Sequence, residues 1–183
     1  SSLEHIGLIC AAIGLNAPLT IFGALLHMGY HALIKPVLFF AAGNIHQSCH
    51  TLHIPSIGPG LSDSLPVTVL CMGLAGTAAI GLPPFGLFFS EMTVLNGGFA
   101  SGHPGVSLVA LTALIASFCG ILYQLSRILI GAPRMSRPRV RMVWDGVPAM
   151  GFMLVLLVAL SLWLPAPLSR ILEQAAAVIG GSR

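Results

Sequence analysis

Apolar positions in this chain fall in long, nearly continuous runs, and the run Leu19–Ile45 sets the frame for the rest. Its 27 residues carry one formal charge, Lys35, and exceed the roughly 20 helical residues that cross a bilayer. Before it, a helix from Ser1 to Leu15 ends at the turn signal Asn16-Ala17-Pro18; its apolar part, Leu3–Leu15, is too short to span alone. After it, the helix is expected to close at Gly43-Asn44, and His46–Ser64 is polar and rich in Pro and Gly. The next run, Leu65–Gly98, is interrupted by Gly81-Leu82-Pro83-Pro84-Phe85-Gly86. Two consecutive prolines remove the amide donors to the Ala79 and Ile80 carbonyls, so no continuous helix passes there. As one helix this stretch would measure about 50 Å, too long for one untilted span and too short for two with a turn. A single crossing by a broken, partly unwound helix fits best. Val106–Ile130 and Val147–Leu164 are further spans, giving five crossings when the broken stretch counts once.

Composition agrees with this pattern. Only 7% of residues are charged and 56% are hydrophobic, with a mean hydropathy of +0.94, against roughly 25% charged in soluble domains. The expected fold class is all-α, a polytopic transmembrane helix bundle with one discontinuous helix. A transmembrane barrel would instead show short stretches of alternating polarity. The net charge of +3 is no nucleic-acid signature, because five of the eight basic residues lie between Arg127 and Arg141. Within that stretch, 132–145 reads as a basic cytoplasmic loop by the positive-inside rule. Ser1 and the His46–Ser64 loop then also face the cytoplasm, and the C-terminus lies outside. Trp144 and Trp163 read as interfacial anchors. Beyond Pro165, Leu168, Ile171, Leu172, Ala175 and Ile179 form one stripe, so 166–183 is expected to be an interfacial amphipathic tail. Cys10, Cys49, Cys71 and Cys119 show no paired spacing, and free thiols are expected. The chain opens without an initiator Met or a leader, already near a helix, which suggests part of a longer membrane subunit.

Chemistry gathers on two of these runs. His27, His31 and Lys35 recur at four-residue steps, which on a helix confines them to an arc of about 80° over about 12 Å. An ammonium group at mid-span costs about 2.5–3.5 kcal/mol on insertion scales, so a neutral amine or a water-filled cavity is expected around Lys35. Glu91 is the single acid of an otherwise apolar half-helix beside the break at Gly81, Pro83, Pro84 and Gly86. Unwound backbone beside a charged group is a frequent architecture of transporter ion sites. His5 either caps a polar helix end or faces the same interior as Lys35. His46, Cys49, His50 and His53 would share a face if the helix ran on, but histidine at a membrane surface is usually a solvated helix end, and no metal site is assigned. There is no CxxC cluster and no glycine-rich phosphate loop, so no cofactor is expected in this chain.

Three motifs in order carry a resemblance. Ser1-Ser2-Leu3-Glu4-His5-Ile6-Gly7, His27-(x3)-His31-(x3)-Lys35 with Leu38-Phe39-Phe40-Ala41-Ala42-Gly43, and Gly81-Leu82-Pro83-Pro84-Phe85-Gly86-Leu87-Phe88-Phe89-Ser90-Glu91 resemble segments of the antiporter-like proton-pumping subunits. These belong to respiratory complex I and membrane-bound hydrogenases, and the wording is closest to component F of hydrogenase-4-type complexes. The resemblance implies a subunit of about fourteen helices with two inverted five-helix repeats. Residues 1–183 would form a single membrane domain, the later part of the second repeat plus the last helix. It implies a proton path through Lys35, His31, His27, Glu91 and His5, driven by redox chemistry in partner subunits: other membrane subunits and a peripheral hydrogenase or dehydrogenase arm. The place would be a prokaryotic inner membrane. A stand-alone Mrp-type Na+/H+ antiporter shares the motifs and stays open as the alternative. A haem-binding anchor using His27 or His31 is the other, and a lysine midway along the span argues against it.

Overall fold

A computed structural model describes residues 1–51, 53, 61–129 and 146–181, the side chains of 62 and 63 apart. Its helices are α1 (Ser2–Gly14), α2 (Pro18–Cys49), α3 (Leu61–Ser64), α4 (Pro66–Ala79), α5 (Gly86–Ala100), α6 (Pro104–Leu129), α7 (Val147–Leu162) and α8 (Ala166–Ile179). Among the described residues the fold is all-α, as the hydrophobic pattern predicts. The arginine-rich stretch 132–145, with Trp144, lies outside them.

The central helix is longer than expected. It does not close at Gly43-Asn44 but runs on to Cys49, where His50 caps it with a left-handed backbone at φ 52°. Its 32 residues extend about 48 Å. Asn44 stays helical because it is buried and its side-chain amide donates to Thr68 Oγ1 of α4 at 3.4 Å. The left-handed turn at His50 breaks the register that would have aligned His46, Cys49, His50 and His53 on one face.

Partners along α2 show how the broken stretch runs. Asn44 meets Thr68, Tyr30 packs on Gly86, His27 bonds Ser90, and Gly97 lies against Thr20. Partner numbers rise from 68 to 97 as α2 numbers fall from 44 to 20, so α4 and α5 follow each other in one direction, antiparallel to α2. Residues 65–98 therefore run in one direction along α2 as a single interrupted rod. Serine and tyrosine brace the break: Gly86 N–H donates to Ser161 Oγ of α7 at 2.8 Å, and Tyr30 Oη–H donates to the Leu160 carbonyl at 2.9 Å. The first pair satisfies one of the orphan amides at the start of α5.

A core of Ile34, Val37 and Ala41 from α2, Ala75 from α4, Leu87 from α5 and Leu157 from α7 fills the bundle centre. By length and composition, α2 and α6 each suffice to cross a membrane, while α1 and α4 are shorter apolar helices. The chain bends by 78° between α7 and α8, and Gly180, just past the end of α8, lies near Ile21 of α2. The stripe read on this segment divides: Leu168, Leu172 and Ala175 turn inward, but Ile171 and Ile179 are exposed. Ala176 is the fully buried position instead. The described cysteines are free.

Small residues set the closest helix contact. A Cβ on Gly97 would stand 3.0 Å from the Thr20 backbone nitrogen, and one on Gly23 would stand 3.1 Å from the Val94 nitrogen. Backbone cannot yield as a side-chain tip can, so Gly97→Val should destabilise the α2–α5 pair by about 1–3 kcal/mol. Gly7→Ala, where a Cβ meets nothing within 4 Å, should be neutral. Thermal unfolding of the detergent-solubilised protein measures both.

Candidate functional site

Three helices deliver the polar groups to one buried place. α1 and α2 run antiparallel, so His5 of α1 falls beside both His27 and His31 of α2, with ring centroids 5.1 and 4.9 Å away. α5 brings Ser90 and Glu91 to the same level. His5 is 1% exposed, His27 0%, Ser90 0% and Glu91 6%. Of the two readings of His5, the interior one holds.

The hydrogen bonds form a directed line. Ser90 Oγ donates to the Leu87 carbonyl at 2.7 Å. Its single proton is thereby committed, so at its 2.9 Å contact with His27 Nδ1 it accepts. His27 then carries its proton on Nδ1 and offers the lone pair of Nε2. That lone pair accepts from His5 Nδ1–H at 3.0 Å. His5 in turn has a bare Nε2, which is buried and has no hydrogen-bond partner. The nearest acid is Glu4, whose Oε2 is 4.0 Å away and equally without a partner. With Ser90 donating to Leu87, the network assigns the Nδ1-protonated tautomer to both rings.

Glu91 sits beside this line, one carboxyl oxygen within 4.8 Å of a ring nitrogen of His5 and of His27. Its carboxyl folds back over Gly81, whose φ of 70° belongs to the left-handed region and whose missing side chain leaves the room the carboxyl occupies. Glycine is thus required twice at that position. Lys35 lies two helical turns from His27 along α2. It is half-buried, its Nζ donates to Ser1 Oγ at 2.7 Å, and it attracts the Glu4 carboxylate. Among the described residues no ion pair joins Lys35 to Glu91. His31 contributes a ring against His5 and keeps a buried Nε2 without a partner.

Sequence reasoning missed two members. Glu4 looks like an ordinary acid in a first helical turn, and Ser90 is one of many serines. The signal available for each is adjacency: Glu4 precedes His5, and Ser90 precedes Glu91. His27 has both ring nitrogens engaged.

This geometry makes a spectroscopic prediction. Solid-state 15N spectra of histidine-labelled protein, assigned through His5→Gln and His27→Gln, should show the Nδ1-protonated neutral tautomer for both rings. Ser90→Ala should release His27 from that form and lower stability by about 1–3 kcal/mol, the cost of an orphaned buried donor.

The family described as "NADH:quinone oxidoreductase/Mrp antiporter, TM" matches residues 1–118. The chain is 35% identical over 144 residues to a hydrogenase-4 component F homolog of Methylacidiphilum infernorum (isolate V4), covering 79% of this chain and 30% of that protein. It is 31% identical over 191 residues to NADH-quinone oxidoreductase subunit L of Escherichia coli (strain K12), covering 100% of this chain and 29% of that one. The fold is similar to a chain in the structure of the Mrp complex from Dietzia sp. DQ12-45-1b, with a TM-score of 0.78 at 18% identity over 96% of this chain and 41% of that chain. The chain thus spans less than a third of the length of those two sequence relatives. Their names are those of a hydrogenase-4 component and of an NADH-quinone oxidoreductase subunit, and the three sequence motifs all fall inside residues 1–118. The chain belongs to the NADH:quinone oxidoreductase/Mrp antiporter transmembrane family.

Proposed function

We propose that this chain supplies part of a proton-translocating path in an antiporter-like subunit of a redox-driven membrane complex. The observation that carries the reading is the unbroken series Ser90–His27–His5, linked at 2.9 and 3.0 Å beside the helix break. Imidazoles in such a series accept a proton on one nitrogen and release one from the other. A proton arriving at the bare Nε2 of His5, beside Glu4, displaces the Nδ1 proton toward His27 Nε2, and His27 then releases its own from Nδ1. Glu91 receives charge on the side of the break, while Lys35 and Glu4 form the store on the side of α1. His31 stands as a second ring against His5 and offers a branch toward Lys35.

Energy for net transport comes from partner subunits, a peripheral hydrogenase or dehydrogenase arm in a prokaryotic cytoplasmic membrane. The basic loop 132–145 lies on the cytoplasmic side, and 166–183 rests at the interface. The Mrp-type reading has its own support in the family description, which names both kinds of protein; there the chain would serve sodium–proton exchange with no redox partner.

Proton uptake by the complete complex in proteoliposomes tests both. Lys35→Ala and Glu91→Gln should each lower redox-driven pumping about tenfold or more, because each removes the titratable group on one side of the series. Wild-type pumping by both variants would discard the path. Sodium-dependent transport without any redox substrate would select the antiporter reading.

A further inference from the structure

The buried cluster has a second chemical capacity. One donor atom from each of His5, His27 and Glu91 lies within 4.8 Å of the others, on three separate helices. The two imidazole nitrogens are already 3.0 Å apart, and two nitrogens bound to one tetrahedral zinc ion stand about 3.3 Å apart given Zn–N bonds of about 2.0–2.1 Å. Two histidines and a glutamate are a donor set that zinc takes in catalytic sites, with a fourth position left to water.

The surroundings suit such an ion as well as the donors do. His27 carries its lone pair on Nε2, because Nδ1–H is tied to Ser90 Oγ, and the metal takes that lone pair in place of the hydrogen bond from His5 Nδ1. His5 needs only to move its proton from Nδ1 to Nε2, and the vacant Nε2 faces Glu4 Oε2 at 4.0 Å, a small ring rotation from a hydrogen bond. A metal-bound imidazole usually gives its far N–H to a carboxylate or another polar atom, which fixes the ring and strengthens the bond. Here both far nitrogens have that partner waiting, a serine for one ring and a carboxylate for the other. The unpartnered atoms of His5 and Glu4 thereby acquire a use that the resting hydrogen-bonded line does not give them.

We propose that His5, His27 and Glu91 form a binding site for a divalent transition metal of tetrahedral preference, zinc above all, positioned by Glu4 and Ser90. The metal takes the lone pairs of His5 Nδ1 and His27 Nε2 and one oxygen of Glu91. The His5 Nδ1 proton passes to Nε2, and any proton on Glu91 is released. If the proton path above is correct, bound metal occupies its midpoint and stops it; the site itself does not depend on that reading.

Cobalt(II) titration of the complete, chelator-treated complex tests the site, because tetrahedral cobalt gives intense visible ligand-field bands. The bands should appear at one ion per copy of this chain and bleach when zinc is added. His27→Gln and Glu91→Gln should abolish them, Glu4→Gln should weaken binding about 10–100-fold as loss of an orienting partner does, and His46→Gln should leave them unchanged. Zinc added to the unaltered protein should also shift the 15N signals of His5 and His27, a readout that needs no variant to fold. Absent bands with unmoved 15N signals, or bands that survive Glu91→Gln at full affinity, overturn the site. Metal binding by the unaltered protein together with normal pumping by Glu91→Gln keeps the site and removes the path; lost pumping by Glu91→Gln with no metal bound by the unaltered protein removes the site and keeps the path.

Discussion

Two imidazoles held 3.0 Å apart in a region almost closed to solvent impose the constraint from which the other features follow. A buried ring nitrogen without a partner is costly, and each ring has two. The bundle meets the demand for three of the four nitrogens of His5 and His27 by bringing three helices into contact at one level, and leaves His5 Nε2 without a partner. α1 must run antiparallel to α2 so that His5 reaches both histidines, and α5 must approach closely enough for Ser90 to bond His27. That approach in turn requires glycine at positions 23 and 97, where a larger residue would press on backbone. Packing and polar chemistry are thus set by the same contact.

The interrupted span has a related logic. Unwound backbone inside a membrane persists only where protein or water satisfies it. α7, which carries no ionisable side chain, fulfils this role through Ser161 and the Leu160 carbonyl. Gly81 then gives the Glu91 carboxyl a place beside the break. The apolar scaffold helix and the acid are therefore coupled, although they share no bond.

Much of this was legible from the residues. The apolar runs mark the helices, the Pro-Pro pair marks the break, and the four-residue spacing puts His27, His31 and Lys35 on one face. The end of α2 was not legible, because Gly43-Asn44 is a stop signal locally and only a threonine from α4 overrides it. Nor could spacing show that Glu4 meets His5 Nε2 or that Ser90 fixes a tautomer. Those depend on which helices are neighbours, and that information is tertiary. The amphipathic stripe near the C-terminus divided for the same reason: the face buried against α2 is set by the 78° bend, not by hydropathy alone.

The direction of the hydrogen bonds has a kinetic consequence. Every link between Leu87 and His5 points the same way, and one charge travelling along the rings would leave each of them reversed. A second charge cannot follow until the line is rewound. The serine hydroxyl rewinds by turning about a single bond, whereas the two packed rings must exchange protons or rotate against their neighbours. If the proposed path operates, its turnover is paced by resetting the rings, and the hydroxyl at position 90 is the one joint in it that resets about a single bond.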